Sequence, residues 1–492
     1  MLIDLKNLPD DSNFLKQLVV DLVRKIEQLE HQLSVLRRHQ FGRSSEKIDS
    51  KGKVEGIGTV KEVSGNKNGH GRKTLPPELP RDRKEIDITK EQHKCDKCGA
   101  ELEKIGEEIS EILDYRPSSL FVRQIVRLKY ACKECEETVV TAEMPQRLID
   151  KGMPGEGLLA HILVSKYADH LPLHRLEGIF NRYGIEISRS TMCGWVGVCA
   201  DLLSPIYDEM KKDVLKSKKI HTDDTPVPVQ EKGLNKTRTG RLWVYVGDDA
   251  HPQDVFDYTP DRTKERPKNF LSGFKGNLQA DAYTGYEETY RKGEITEVAC
   301  WAHTRRKFYD ARETDAAGAA VMLAFIGQLY KVEEEAKEKE MDSKARKESR
   351  QKESKPVLSE IRKYLDWQAL NVLPKSPLGQ AVSYTLSNWE ALNRYTEDGD
   401  LDIDNTAAER ALRTVAIGRK NWMFAGSDNG GVRAAVIYSL VSTCKRDGID
   451  PFEYLRDVLE RVSTHPARRI EELLPHRWKS LYGGGERDSP QV

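Results

Sequence analysis

The sequence predicts a multidomain α/β protein, and three observations carry that expectation. From about residue 219 onward, short β-branched and aromatic runs alternate with helical patterns, as in an α/β sheet. Ahead of them stand two Cys-x-x-Cys pairs, Cys95 with Cys98 and Cys132 with Cys135. A leucine seam opens the chain. With 492 residues, a prior of roughly 150 residues per domain gives about three domains.

Hydrophobic residues make up 38%, charged residues 32%, and the formal net charge is zero. This balance excludes a uniformly basic nucleic-acid coat, so any DNA contact has to come from local basic patches. No apolar run is long enough for a membrane span, and Met1-Leu2-Ile3-Asp4 does not open a signal peptide. The expectation is a cytoplasmic, nucleoid-associated protein without membrane contact. In such a compartment the paired cysteines read as metal ligands, not disulfides.

Leu15, Val19, Leu22, Ile26, Leu29, Leu33 and Leu36 alternate steps of four and three. That is an a/d heptad seam with leucine at the d-like positions, so 1–40 reads as a self-associating coiled coil; a helix packed on its own domain is the alternative. Residues 41–85 are rich in glycine and lysine and read as a linker. In 86–150, Cys95, Cys98, Cys132 and Cys135 supply four thiolates for a closed structural zinc site. Val122, Ile125, Val126, Leu128 and Tyr130 supply a hairpin strand between the pairs.

Residues 151–212 read as helices near 158–167 and 173–183, a turn at Gly184-Ile185-Glu186, and a third helix capped by Ser188 or Ser190. This outlines a helix-turn-helix with Arg189 at the start of the recognition helix; a plain helical bundle is the equal alternative. Lys219 to Val227 reads as a strand that Pro226 ends, with His221 and Asp223 on one face. Strands follow at 241–246, 255–258, 277–281 and 297–301, with a helix near 264–271. Asp281 ends the second acidic strand. Residues 316–398 are largely helical, and Asp404-Asn405-Thr406 caps a helix carrying Glu409, Arg410 and Arg413. Residues 441–492 form a C-terminal helical segment and tail.

Several stretches together resemble the insertion-sequence-66 family of DDE transposases. They are His221-x-Asp223-Asp224-Thr225-Pro226, Gly240 to Tyr245, Gln279-Ala280-Asp281-Ala282-Tyr283-Thr284-Gly285-Tyr286, Cys300-Trp301-Ala302-His303-Thr304-Arg305-Arg306-Lys307-Phe308, and Asp404 to Arg413 running on to Trp422. Phe41 to Lys47 and the paired cysteines match as well, so the resemblance covers nearly the whole chain. It implies a ribonuclease-H-like catalytic domain at 213–440 with a helical insertion at 316–398. It also implies three acidic metal ligands, Asp223, Asp281 and Glu409; many members carry Asp-Glu-Thr where this chain has Asp223-Asp224-Thr225, and Asp223 is chosen over its neighbour. The implied activity is cleavage and strand transfer at the ends of a bacterial insertion sequence, with help from small accessory proteins.

The residue types suit that chemistry independently. Two magnesium (or manganese) ions roughly 4 Å apart activate water and neutralise a leaving oxygen, and such ions take carboxylate oxygen. Arg305, Arg306, Arg410 and Arg413 are candidates to hold phosphates, with ion pairing to nearby acids as the alternative. Double-stranded DNA and a homodimer or higher oligomer are the expected partners. The rival readings are a non-catalytic, zinc-containing DNA-binding regulator and a nuclease of the same fold.

Overall fold

Five strands form the central sheet: β3 (Lys219–Val229), β4 (Arg238–Val246), β5 (Asp254–Thr259), β6 (Gly276–Gln279) and β7 (Ile295–Val298). The computed structural model describes residues 120, 129–131, 139–141, 148–149, 152–231, 236–291 and 293–482. A separate antiparallel pair, β1 (Lys129–Ala131) and β2 (Val139–Thr141), precedes the sheet. The leucine seam, the linker, the four paired cysteines and the hairpin strand ahead of Lys129 lie outside the described residues.

The spatial order is β5-β4-β3-β6-β7. Strands β3, β4 and β5 pair antiparallel, whereas β6 and β7 run parallel to β3. Leu242 to Val246 are all buried, a continuous apolar run expected where both faces of a strand are covered. Strand β6 pairs with β3 only from Lys219 to His221, so the sheet opens beyond His221 on that side.

Proline does not end β3, contrary to the sequence expectation. Pairing with β4 continues through Pro226↔Arg241 and Pro228↔Thr239 to Val229↔Arg238. Both prolines fall past the point where β6 leaves, where a missing N–H costs no ladder bond. Their carbonyls are used instead: Pro226 O accepts from Arg419, and Pro228 O accepts the Ala425 amide at 2.9 Å.

Helices α1 (Glu156–Tyr167), α2 (Leu173–Arg182) and α3 (Arg189–Val214) precede the sheet. Gly184 takes φ +74° in the turn between α2 and α3. Ser188 then caps α3 by accepting the Thr191 amide. At 26 residues α3 is far longer than the helix expected around Met192 and Trp195, and its apolar face joins the same core as the sheet. Short helices α4 (Glu265–Phe270) and α5 (Glu287–Tyr290) flank β6. Strand β7 ends at Val298, three residues before the expected end, because Trp301 already opens helix α6 (Trp301–Ala311).

The helical insertion contains α7 (Ala316–Glu338), α8 (Ser343–Ser349), α9 (Lys355–Asn371), α10 (Pro377–Ser387) and α11 (Trp389–Asn393). It has its own apolar core, in which Trp301 and Phe308 of α6 pack with Met322, Ile326, Leu365 and Val382. Buried Arg350 ties it internally, paired with Glu333 at 2.8 and 2.6 Å and donating to the carbonyls of Tyr395 and Asp398.

Helix α12 (Thr406–Gly418) packs on β3 and β4, and α13 (Asp428–Arg446) lies along β5. Ser439 and Thr443, one turn apart on α13, accept the amides of Phe256 and Asp254 at 2.8 and 2.9 Å. The edge of the sheet is thereby closed by side chains. Helix α14 (Pro451–Val462) packs against α1, and α15 (Pro475–Tyr482) ends the described chain. Among the described residues no helix is long and apolar enough to cross a membrane.

Candidate metal centre

Asp223 projects from β3 two residues past the last β6 pairing, Asp281 follows β6 by two residues, and Glu409 stands in the first turn of α12. These positions border the gap where β6 parts from β3, and the charges of Asp281 and Glu409 act on Asp223; among the described residues, however, the group whose ligand atoms lie within 4.8 Å of one another is Cys300, His303 and Glu409, not the three carboxylates. Burial raises the Asp223 carboxyl, and the charge of Asp281 raises it further. Asp224 and Glu409 add to this, while the Asp224 amide, donating at 2.7 Å, opposes it; the result is about 7. Burial also raises Asp281, countered by His303 and Arg262. Three carboxylates that repel one another and offer hard oxygen donors fit a divalent cation.

Asp224 is engaged elsewhere. Its side chain is 2% exposed and accepts from Arg241 at 2.9 Å and from Arg262 at 2.9 and 2.8 Å. A carboxylate already holding two guanidinium groups has little left for a metal, which leaves Asp223 as the available neighbour. Arg262 also lies 3.8 Å from Asp281 and 4.0 Å from the centre of the Tyr283 ring. The loop after Asp281 is packed by aromatics: Tyr283 and Tyr286 meet edge to face, and Tyr286 lies against Trp243.

A buried polar knot sets the start of α12. Asn405 is fully buried, yet its side chain does not cap the helix as the sequence suggested. It donates to Thr222 O at 2.8 Å and turns its oxygen to His221 Nδ1 at 3.1 Å, while Asp404 accepts the Thr406 amide at 3.0 Å. His221 Nε2 meets Asp402 at 2.9 Å, and Lys219 meets the same carboxylate at 2.6 Å. Burial opposes ionisation of Asp402, but His221 and Lys219 outweigh it and hold the carboxyl well below its usual range. Gln279 of β6 donates to Asp404 O at 2.9 Å, and Tyr330 of the insertion donates to the Asp404 carboxylate at 2.9 Å. The helix carrying Glu409 is thus tied to β3, β6 and the insertion together.

The basic candidates divide. Arg410 and Arg413 are exposed on α12, and among the described residues neither has a carboxylate within ion-pair distance, so the alternative of ion pairing, Glu409 with Arg413, is not formed. Arg305 and Arg306 stand on α6, beside His303; Arg305 reaches towards the Tyr309 ring at 5.9 Å. Arg189 is exposed at the start of α3, where Glu177 accepts its amide, and it shares no contact with the acidic cluster. Sequence reasoning missed Arg241, Arg262, His303, Asp402 and the bridging role of Asn405. Their contacts with the site span 17 to 184 positions, beyond the reach of local periodicity.

Comparison with known proteins gives four family matches. The Transposase IS66 family matches residues 151–433, and the IS66 C-terminal element matches 439–476. The zinc-finger binding domain of transposase IS66 matches 92–136, which supports zinc in that segment. Residues 28–83 match the Transposase C of IS166 homeodomain. Similar proteins occur in Sinorhizobium fredii. Uncharacterized protein y4jD is 34% identical over 421 residues, spanning 82% of each chain. Uncharacterized protein y4qI is 34% identical over 486 residues, spanning 92% of this chain and 89% of its own. Given a match over more than half its length and relatives aligned nearly end to end, this chain belongs to the IS66 transposase family.

Proposed function

We propose that this transposase cuts and joins DNA at a ribonuclease-H-like acidic centre formed by Asp223, Asp281 and Glu409. The observation that carries the reading is the placement of these carboxylates around the parting of β3 and β6, where burial first, and then the charge of Asp281, pushes Asp223 up to about 7. The mixed sheet supports the fold assignment, with three antiparallel strands followed by two parallel ones and an acidic helix returning to the first.

When bound, two divalent ions, magnesium or manganese, would activate the attacking oxygen and neutralise the leaving one. Asp223 would hold its ligand atoms on strand β3, Asp281 on the loop just past β6, and Glu409 would bring the third from α12. The knot of His221, Asp402 and Asn405 fixes that helix against β3. Arg410 and Arg413 leave exposed charge beside Glu409 for DNA phosphates, and Arg305 and Arg306 extend the basic surface along α6.

The remaining modules serve recognition and assembly in this reading. Cys95, Cys98, Cys132 and Cys135 hold one zinc ion in a module that reads the element's terminal repeats, aided by Arg189 and its helices. The 1–40 seam pairs protomers, since cutting two ends favours a symmetric assembly. Small accessory proteins of the same element complete the complex.

The test measures cleavage and strand transfer on end-bearing DNA in magnesium, with DNA binding followed in parallel. Asp223→Asn, Asp281→Asn and Glu409→Gln are each expected to bind DNA and lose chemistry by orders of magnitude. Near-parental cleavage by any of them removes that residue from the centre.

A further inference from the structure

We infer that His303 is a fourth ligand of the acidic centre, meeting the metal through Nε2 beside Glu409. This rests on the metal-site reading above and adds a nitrogen donor to its oxygens.

The position of His303 is fixed by its anchor. Trp301, two residues earlier, is fully buried; Ile403 O accepts its amide at 3.1 Å and Leu392 O accepts its indole N–H at 2.8 Å. The first turn of α6 is therefore held against the strand-to-helix return that leads to Glu409. His303 Nε2 stands 3.8 Å from Glu409 Oε1. Charge-assisted hydrogen bonds are about 2.7–2.9 Å long, so this is not a closed ion pair. Two donors on one octahedral ion, at bonds of about 2.1 Å, lie from about 3.0 Å apart when adjacent to about 4.2 Å when opposite. The observed gap matches neither spacing and has to close by about 0.8 Å for the two atoms to sit as neighbours on one ion. The imidazole Nδ1 is buried and has no hydrogen-bond partner, which leaves Nε2 as the nitrogen turned towards the site.

Cys300 is the other candidate donor, since its Sγ, His303 and Glu409 place ligand atoms within 4.8 Å of one another. Its chemistry argues against it. The thiol is fully buried and already accepts the Asn405 amide at 3.2 Å. A soft sulfur so engaged is a poor match for a hard ion that takes oxygen ligands. The arrangement is thus an oxygen-rich centre with one imidazole, a donor set that strengthens binding of later transition ions over magnesium.

The experiment uses the metal alone. Full-length protein is loaded with Mn2+ and examined by pulsed electron paramagnetic resonance, first with natural histidine and then with 15N-histidine. The expected parent spectrum shows nitrogen modulation that changes on labelling. His303→Gln is expected to lose it and to bind Mn2+ at least about tenfold more weakly. The labelled parent needs no substitution, so a poorly folded variant does not obscure the answer. Mn2+ bound to the parent without nitrogen coupling overturns the assignment of His303 and leaves the carboxylate centre standing. Coupling that persists in His303→Gln overturns it equally. A parent that binds Mn2+ no better than Asp223→Asn overturns the metal-site reading itself, and this inference with it.

Discussion

Removing the charge of Asp223 is expected to stabilise the metal-free protein while abolishing its chemistry. In the folded chain this carboxyl titrates at about 7, against about 3.9 for an unperturbed aspartate. A raised acid binds its proton more tightly folded than unfolded. Stability is therefore undiminished below about pH 4, falls as pH rises towards 7, and stays low above that. The full displacement corresponds to about 4 kcal/mol at 1.36 kcal/mol per unit. Asp223 keeps some contact with solvent, and screening leaves roughly 2 kcal/mol as the working figure. In Asp223→Asn the side-chain amide oxygen can still accept the backbone N–H of Asp224, so the substitution removes charge with little loss of bonding. Thermal melting of parent and Asp223→Asn in EDTA should differ little at pH 4.5 and by several degrees, favouring the variant, at pH 8. Magnesium should then raise the parent's melting temperature and leave the variant's unchanged, because a ligand stabilises only a state that binds it. Titrating groups away from the acidic cluster are common to both proteins and cancel in the difference. A variant no more stable than the parent at pH 8, or raised equally by magnesium, refutes the reasoning.

Four further outcomes are expected. Asp224→Asn strips two guanidinium groups of their shared partner and should destabilise the fold by about 3 kcal/mol while keeping Mn2+ affinity within a few-fold of the parent; loss of Mn2+ binding in a folded sample would exchange the roles of the two aspartates. Arg350→Ala leaves Glu333 and the carbonyls of Tyr395 and Asp398 unpaired and should cost about 3–5 kcal/mol, seen as early proteolysis within 316–398. Cys98→Ser with Cys135→Ser should lower zinc from about one ion per chain to none by elemental analysis, and unchanged content would remove these cysteines from the site. Leu22→Lys with Leu29→Lys should lower the mass seen by light scattering, and an unchanged mass would make the seam a packed helix.

The order of strands and helices from Lys219 to Val462 was legible because it rests on local signals. Period-two burial, helix caps and turn glycines act within a few residues of themselves. Ser188 illustrates this: its cap contact is three residues away. Pro226 misled because proline's effect depends on which edge of the strand is paired, and that is set by β6, some fifty positions later. Asn405 misled for a related reason. Next to a helix start an asparagine side chain normally serves the helix, but here a buried histidine and a strand carbonyl compete for it and win. The arginines that occupy Asp224 come from β4 and from the turn after β5. Nothing in the spacing of Asp223-Asp224 distinguishes a free carboxylate from an occupied one.

The insertion between Asp281 and Glu409 is more than a spacer. The chain leaves the sheet at Val298, builds a second core around Met322, Ile326 and Leu365, and returns through Leu401 and Ile403, which belong to that same core. Glu409 therefore inherits its position from two sources. From the sheet side, His221 and Gln279 hold the segment 402–405; from the insertion side, Tyr330 holds Asp404 and Trp301 pairs with Ile403. A buried polar group with a fixed partner has one orientation, because leaving it unpaired costs about 1–3 kcal/mol. Two independent sets of such contacts on one four-residue segment leave α12 little freedom to slide along β3. An acidic ligand drawn from a helix can in this way be held as firmly as the two drawn from the sheet, and loosening either side, by Asn405→Ala or by Tyr330→Phe, should weaken Mn2+ binding with all three carboxylates still present. If calorimetry finds the parental Mn2+ affinity in both variants, the segment 402–405 does not govern where Glu409 stands.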